Sequence, residues 1–260
     1  MVLILRVLIG LHLVIITPTI VRAQQQTYAV LVGVSDYKNL SDKTGDLQFA
    51  DRDAKQVLAF LRSKIGGNVP AGNIQLLTNQ QATRSRIEKA VMSFGKAKSG
   101  DRVLFYFSGH GLTNSFAPYD AQSGRVSTML THQDIKTAFR HSSASTKLCI
   151  VDACLSGSMT RPKQGTPTRL SSTTDKGNVA MLLASRSTQY AIESRRLTGG
   201  TFTHYLLLGL GGRADRNDDQ IVTIHELHQY VAPQVRRATK GRQTPVFYGR
   251  FSDNLALTYL

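Results

Sequence analysis

The chain has two cysteines, no tryptophan and seven prolines among its 260 residues, and only 17 acidic side chains. Two cysteines exclude a disulfide-dense scaffold and a four-cysteine zinc site. Scarce proline, with 41% hydrophobic and 19% charged residues, excludes a disordered, collagen-like or low-complexity chain. No internal repeat at a fixed period is visible. The shortage of acids against 32 Lys and Arg leaves a formal charge of +15, which favours attraction to polyanions and says nothing of the fold. The basic residues are scattered, however, and no nucleic-acid motif accompanies them. A specific nucleic-acid partner is therefore not expected, and general polyanion binding stands as an alternative function carried by charge alone.

Residues 1–23 form a category of their own. Arg6 precedes an apolar run from Val7 to Val21, and small residues stand at Val21 and Ala23 ahead of Gln24. That order describes a secretory signal peptide. The run is short for crossing ~30 Å of hydrocarbon, and Pro18 interrupts it. Export to the periplasm or beyond is expected, with a membrane anchor through residues 7–21 as the alternative if the segment is not removed. Residues 24–260 then form one domain.

An exported protein normally pairs its cysteines. Cys149 and Cys154 both lie in KLCIVDAC. On a strand they would stand roughly 16 Å apart, against the ~7 Å limit between bridged Cα atoms. Their odd offset also points them to opposite faces. They cannot pair within one extended strand, so at least one thiol invites a chemical use.

Six short apolar runs punctuate the mature chain: 28–34, 73–77, 102–107, 147–152, 179–184 and 245–249. Most are continuous rather than alternating, as in strands covered on both faces of a parallel sheet. Helical periodicity fills the gaps. Leu47, Ala50, Ala54, Val57, Leu58, Leu61 and Ile65 share one helical face. Ser85 with Glu88 reads as a capping box, Thr131 with Asp134 as a near variant, and residues 200–210 and 223–237 as two more helices. The alternation predicts a three-layer α/β/α sandwich on a mostly parallel six-stranded sheet. Residues 111–128 and 155–178 lack periodicity and read as long mobile loops. Each begins where a buried strand ends.

Those two strand ends carry chemistry. One run leads into Ser108, Gly109, His110 and Gly111, and another into Asp152, Ala153, Cys154 and Leu155. Ligands of open α/β sheets bind outside the carboxyl ends of the strands. A histidine and a cysteine at such ends, flanked by small residues, form a base-and-nucleophile arrangement. Cys149, in mid-strand, reads as a small core residue.

YFSGHG followed by IVDACLSG resembles the signature of caspase-like cysteine peptidases, the group that includes metacaspases and bacterial orthocaspases. YAVLVGVSDY and LQFADRDA are similar to the family's first strand and helix, VAMLLASRSTQYAIES to the strand after the active-site loop, and TFTHYLLLGL, HELHQYV and QTPVFYG to its C-terminal elements. The resemblance implies a caspase-like fold, a peptide or protein substrate, His110 as general acid/base and Cys154 as nucleophile, with no cofactor for the chemistry. It also implies an oxyanion hole from the backbone N–H groups of Gly111 and Cys154. Leu155 departs from the histidine that many metacaspases carry there. A catalytically silent caspase-like interaction module is the alternative, and the intact pair argues against it.

Asp152 lies two residues before Cys154 and would emerge on the same side of a strand. A carboxylate beside the nucleophile suits a basic P1 residue, the one preceding the scissile bond. Metacaspases carry aspartates matching Asp152 and Asp53, and with Ser108 these make the expected P1 pocket for Arg or Lys. The plainer alternative is that Asp152 caps a turn and Asp53 is a polar helix residue. If P1 is basic, Arg161, Lys163, Arg169 and Lys176 make the loop 155–178 a candidate substrate of its own enzyme. Asp215, Asn217, Asp219 and Glu226 match ligand positions of a calcium-binding loop, but Gln220 occupies the glycine position of that motif and Thr223 with Glu226 reads as a capping box. The structural role is the favoured reading of this stretch.

Overall fold

The computed structural model describes residues 25–40, 46–112, 114–153, 178–185 and 191–260. The N-terminal segment 1–23, Cys154, and the loop 155–178 except Asn178 lie outside these residues. All six apolar runs are strands: β1 Thr27–Gly33, β2 Ile74–Thr78, β3 Arg102–Gly109, β4 Thr146–Ala153, β5 Asn178–Leu183 and β6 Val246–Arg250. They form one sheet in the order β6-β5-β4-β3-β1-β2, parallel throughout except for the β6–β5 pair. The helices are α1 Ala50–Arg62, α2 Arg84–Val91, α3 His132–Arg140, α4 Thr201–Leu208 and α5 Ile224–Ala238. Among the described residues no helix is long and apolar enough to cross a membrane.

Strand alternation divides the core in two. Phe105, Phe107, Cys149 and Val151 face one layer, where Ile87 of α2 and Ile135 and Phe139 of α3 pack. Leu104, Tyr106, Leu148 and Ile150 face the other, against Val57 of α1, Phe202 and Leu206 of α4, and Leu227 and Val231 of α5. Both faces of β4 are covered and all eight of its residues are buried, which is why its sequence shows no polar alternation. The expected three-layer α/β/α sandwich is the fold that forms.

Helix boundaries follow side chains both near and distant in sequence. The Thr131–Asp134 and Thr223–Glu226 capping boxes both form. The Ser85–Glu88 box does not. Thr83 caps α2 by accepting the Arg86 N–H, Asp120 Oδ1 takes the Arg84 N–H at 2.9 Å, and Glu88 instead pairs with Arg84 one turn back. Helix α1 excludes Leu47 and Ile65. It begins at Ala50 because the N–H groups of Gln48 and Phe49 are taken by Glu193, and its end is turned by Ser63, whose Oγ accepts the Gly66 N–H.

The segment after β3 departs most from expectation. Its described part is packed rather than loose. Gly111–Leu112, Ser115–Phe116 and Leu130–Thr131 form a small antiparallel sheet. Phe116 is fully buried, its ring 4.8 Å from that of Phe107 and 5.9 Å from that of Phe105. The backbone is fastened by Ala117 N–H to His110 O and Tyr119 N–H to Ala82 O, both 2.9 Å. Two-residue strands carry no readable period, so one aromatic anchor and a few long-range backbone bonds decide the outcome. Phe116→Ala is expected to lower the unfolding free energy by about 3–5 kcal/mol, measured by urea denaturation. A loss under about 1 kcal/mol would mean that this segment is not packed on the sheet.

Candidate active site

Three polar side chains meet at the carboxyl ends of β3 and β4. Ser108 lies opposite Asp152 in the β3–β4 register, and Asp53 reaches them from the first turn of α1. Asp53 is 1% exposed and Asp152 5%. Two carboxylates this buried need donors, because an isolated ionised carboxylate away from water is strongly disfavoured. Asp53 accepts from the Gly200 N–H at 3.0 Å to both oxygens and from Ser108 Oγ at 3.2 Å. Asp152 Oδ2 accepts from the Thr203 N–H at 3.1 Å and from Thr203 Oγ1 at 2.8 Å. With that hydroxyl proton on Asp152, Tyr106 is the donor in its 2.7 Å bond to Thr203 Oγ1.

The donors sit at the start of α4, where free backbone N–H groups and the helix dipole favour negative charge. Gly200 precedes the helix and is caught between both acids. A β-carbon there would overlap the Asp152 carboxylate and come within 2.8 Å of Asp53 Oδ2. The sequence pattern extended α4 back over Gly200, and the bonded contact with Asp53 explains why the helix starts one residue later.

Among the described residues no Lys or Arg pairs with either acid. Burial, and then the Asp152 charge, push the Asp53 carboxyl up to about 8. Burial likewise pushes Asp152 up to about 6. Glu193 lies close enough to raise both further. The pair therefore holds a proton between its members near neutrality, as two close carboxylates must.

His110 follows β3 and is clamped through its backbone. Its N–H donates to Tyr37 Oη at 2.7 Å, its C=O accepts from Ala117 at 2.9 Å, and its ring lies 5.0 Å from that of Tyr37. The ladder bond at His110 makes Gly111, opposite Phe116, a non-bonded position of the antiparallel pair. Its N–H accordingly turns away from that neighbour. His110, Gly111, Ser108, Asp53, Asp152 and Glu193 all line one cleft of about 340 Å³. Cys154 follows Ala153, the last residue of β4, and lies outside the described residues. Cys149 is fully buried, and burial pushes its thiol up to about 12, so it serves the core.

Glu193, Tyr37, Gly200 and Thr203 are site residues that sequence reasoning missed. Glu193 bonds the Gln48 and Phe49 N–H groups, each at 2.8 Å, and so ties a cleft wall to the entrance of α1. The one signal for Gly200 was a glycine pair immediately before a helix.

Asp215, Asn217, Asp219 and Glu226 lie apart from the cleft and are engaged in the turn. Gln220 N–H donates to Asp215 Oδ2 at 3.0 Å, Ile221 N–H to Asp219 Oδ1 at 2.8 Å, and Asp219 N–H to Asn217 Oδ1 at 3.2 Å. Glu226 caps α5 through Thr223. Among the described residues no three His, Cys, Asp or Glu side chains are grouped so as to hold a metal ion.

Against known proteins, the family model described as "Caspase domain" matches residues 26–256. A "Probable protease" of a Desulfuromonadales bacterium is 28% identical over 152 residues, which is 50% of this chain and 18% of that relative. The match thus spans less than a fifth of the curated relative's length. Among solved structures, Caspase-1 from Spodoptera frugiperda superposes with a TM-score of 0.64 at 12% identity, covering 90% of each chain. A protein from Geobacter sulfurreducens gives 0.61 at 15% identity, covering 87% of this chain and 94% of that one. At these identities the likeness is one of fold.

The shared proton has a consequence for stability. Unfolding returns Asp53 to its ordinary value of 3.8, so between about 4 and about 8 the folded state binds a proton that the unfolded state does not. Stability due to this group is therefore greatest at low pH and is lost as pH rises toward 8. Asp53→Asn mimics the protonated acid. Its melting midpoint is expected to match the parent near pH 4 and to exceed it by a few degrees at pH 8.5, by calorimetry. A midpoint that tracks the parent at every pH would contradict the strained pair.

Proposed function

The chain belongs to the caspase-domain family, and on that premise we propose that it is a cysteine endopeptidase cutting after arginine or lysine. The observation that carries this reading is the cleft that has His110 at its rim and two buried carboxylates, with no Lys or Arg paired to them among the described residues, as its floor. A guanidinium or ammonium entering the cleft meets charge-assisted acceptors. Both donors to Asp152 fall on Oδ2, and among the described residues Oδ1 receives none. The plainer role for Asp152, capping, is real at α4 and leaves that oxygen for a substrate. Ser108 steadies Asp53.

In the proposed reaction the Cys154 sulfur attacks the carbonyl carbon of the basic residue itself, and His110 takes the thiol proton. The Gly111 N–H, with that of Cys154, stabilises the negative oxygen of the tetrahedral intermediate, a donor of this kind being worth ~3–4 kcal/mol. His110 then gives its proton to the leaving amine, and water attacks the thioester to free the acid. No cofactor enters these steps. The proposal includes action outside the cytoplasm, from the form of residues 1–23, and self-cleavage at Arg161, Lys163, Arg169 or Lys176, which lie outside the described residues.

Digestion of a peptide library by the wild-type chain tests the reading. Cuts are expected after Arg and Lys at least about 100-fold faster than after Asp, a floor well below the discrimination of sites whose buried polar groups the wrong substrate leaves unpaired. Cys154→Ala and His110→Ala are expected to abolish cutting, whereas Cys149→Ser keeps most of it. Iodoacetamide is expected to inactivate by labelling Cys154. Equal rates after Asp and Arg, or inactivation by labelling of Cys149 alone, would contradict the assignment.

A further inference from the structure

His110 stands between two hollows. On one side is the acidic cleft. On the other lies a groove of about 490 Å³ with an apolar wall of Leu40, Leu112, Ala117, Ala121, Val126 and Met129. His110 and Gly111 belong to both linings. Leu112 is 51% exposed and Val126 69%, two of the five large apolar side chains left open to water among the described residues. Exposed apolar side chains gathered on one groove mark a binding surface more often than chance exposure.

The chemistry assigns a direction. His110 must stand beside the leaving amine to protonate it, so the chain beyond the cut lies on the histidine's side. The basic residue before the cut occupies the acidic cleft. The substrate therefore crosses the imidazole and Gly111 and continues into the groove. We infer that this groove is the subsite for the residue after the scissile bond and takes an apolar side chain of leucine or methionine size. The inference rests on the peptidase reading and extends it to the other half of the substrate.

The wall is built before substrate arrives. Ala117 is fixed to His110, Tyr119 to Ala82, and Ala121 O accepts from Asn39 Nδ2 at 3.1 Å. A preformed apolar surface orders little on binding, which favours affinity. Arg125, held by Gln122 Oε1 at 2.9 Å, places positive charge at the rim. A basic residue after the cut is therefore repelled, while the same residue before the cut is sought. The two hollows then read a peptide's direction as well as its composition.

The test uses one peptide sequence with Arg before the cut and Leu, Gly, Asp or Lys after it. Labelled peptides are titrated into the Cys154→Ala full-length chain by fluorescence anisotropy, and the unlabelled peptides are digested by the wild type. The Leu peptide is expected to bind and to be cut about tenfold better than the Gly peptide, with Lys the poorest. Leu112→Asp and Val126→Asp are each expected to bring the Leu:Gly ratio toward one, and Val126→Ile to preserve it. Equal binding and turnover of the Leu and Gly peptides, or a ratio untouched by both aspartates, would overturn the subsite. Selective binding without any cutting supports the groove and overturns the peptidase reading. Cutting without selectivity does the reverse.

Discussion

Two carboxylates buried in one place, with no basic side chain among the described residues to neutralise them, set the terms for the rest of this structure. Bringing them there requires the start of α4, because its unpaired N–H groups and the Thr203 hydroxyl, together with Ser108 Oγ, supply the donors to the two acids. It requires glycine at 200, since any side chain would collide with the acids. It also requires that α1 begin where it does, so that Asp53 arrives one turn in, and the Glu193 bonds to Gln48 and Phe49 hold that position. The strand ends, two helix starts and a cleft wall are thus fixed by one electrostatic problem. The solution is partial, and in the proposed reading the remaining strain is what a cationic side chain would relieve.

The second support of the site is neutral and rigid. Tyr37 lies 3% exposed beneath His110, accepting its N–H and stacking near its ring. Phe116 holds the opposite flank against β3. The His110 backbone is thus held by hydrogen bonds, with the Tyr37 ring beside its imidazole, whereas the acids are held by charge. This division would suit the proposed reaction, in which His110 keeps its place while the charge at the cleft floor changes.

The six strands and the three-layer sandwich were legible because continuous apolar runs in a parallel sheet leave an unmistakable pattern. That His110, Asp152 and Ser108 would stand together was legible from their position at strand ends, and that Asp53 would join them only through the resemblance. The parts that escaped share one property: they depend on partners far away in sequence. Glu193 meets Phe49 across 144 residues and Gly200 meets Asp53 across 147, and no local window contains such a pairing. The 111–128 segment read as loose for the same reason, with a single buried phenylalanine outweighing many small polar neighbours. Ser85 had the right spacing for a cap, and Asp120, 36 residues away, moved the helix start to Arg84.

If the acid pair receives the basic side chain, as proposed, it surrenders its shared proton on binding. Calorimetric titration of the full-length chain with benzamidine, a guanidinium-like cation without a scissile bond, tests it most directly. The account expects affinity to rise as pH increases from 5 toward 8.5, with release of about one proton per ligand near pH 7 when heats are compared in two buffers of different ionisation enthalpy. Affinity independent of pH, with no proton released, would contradict it.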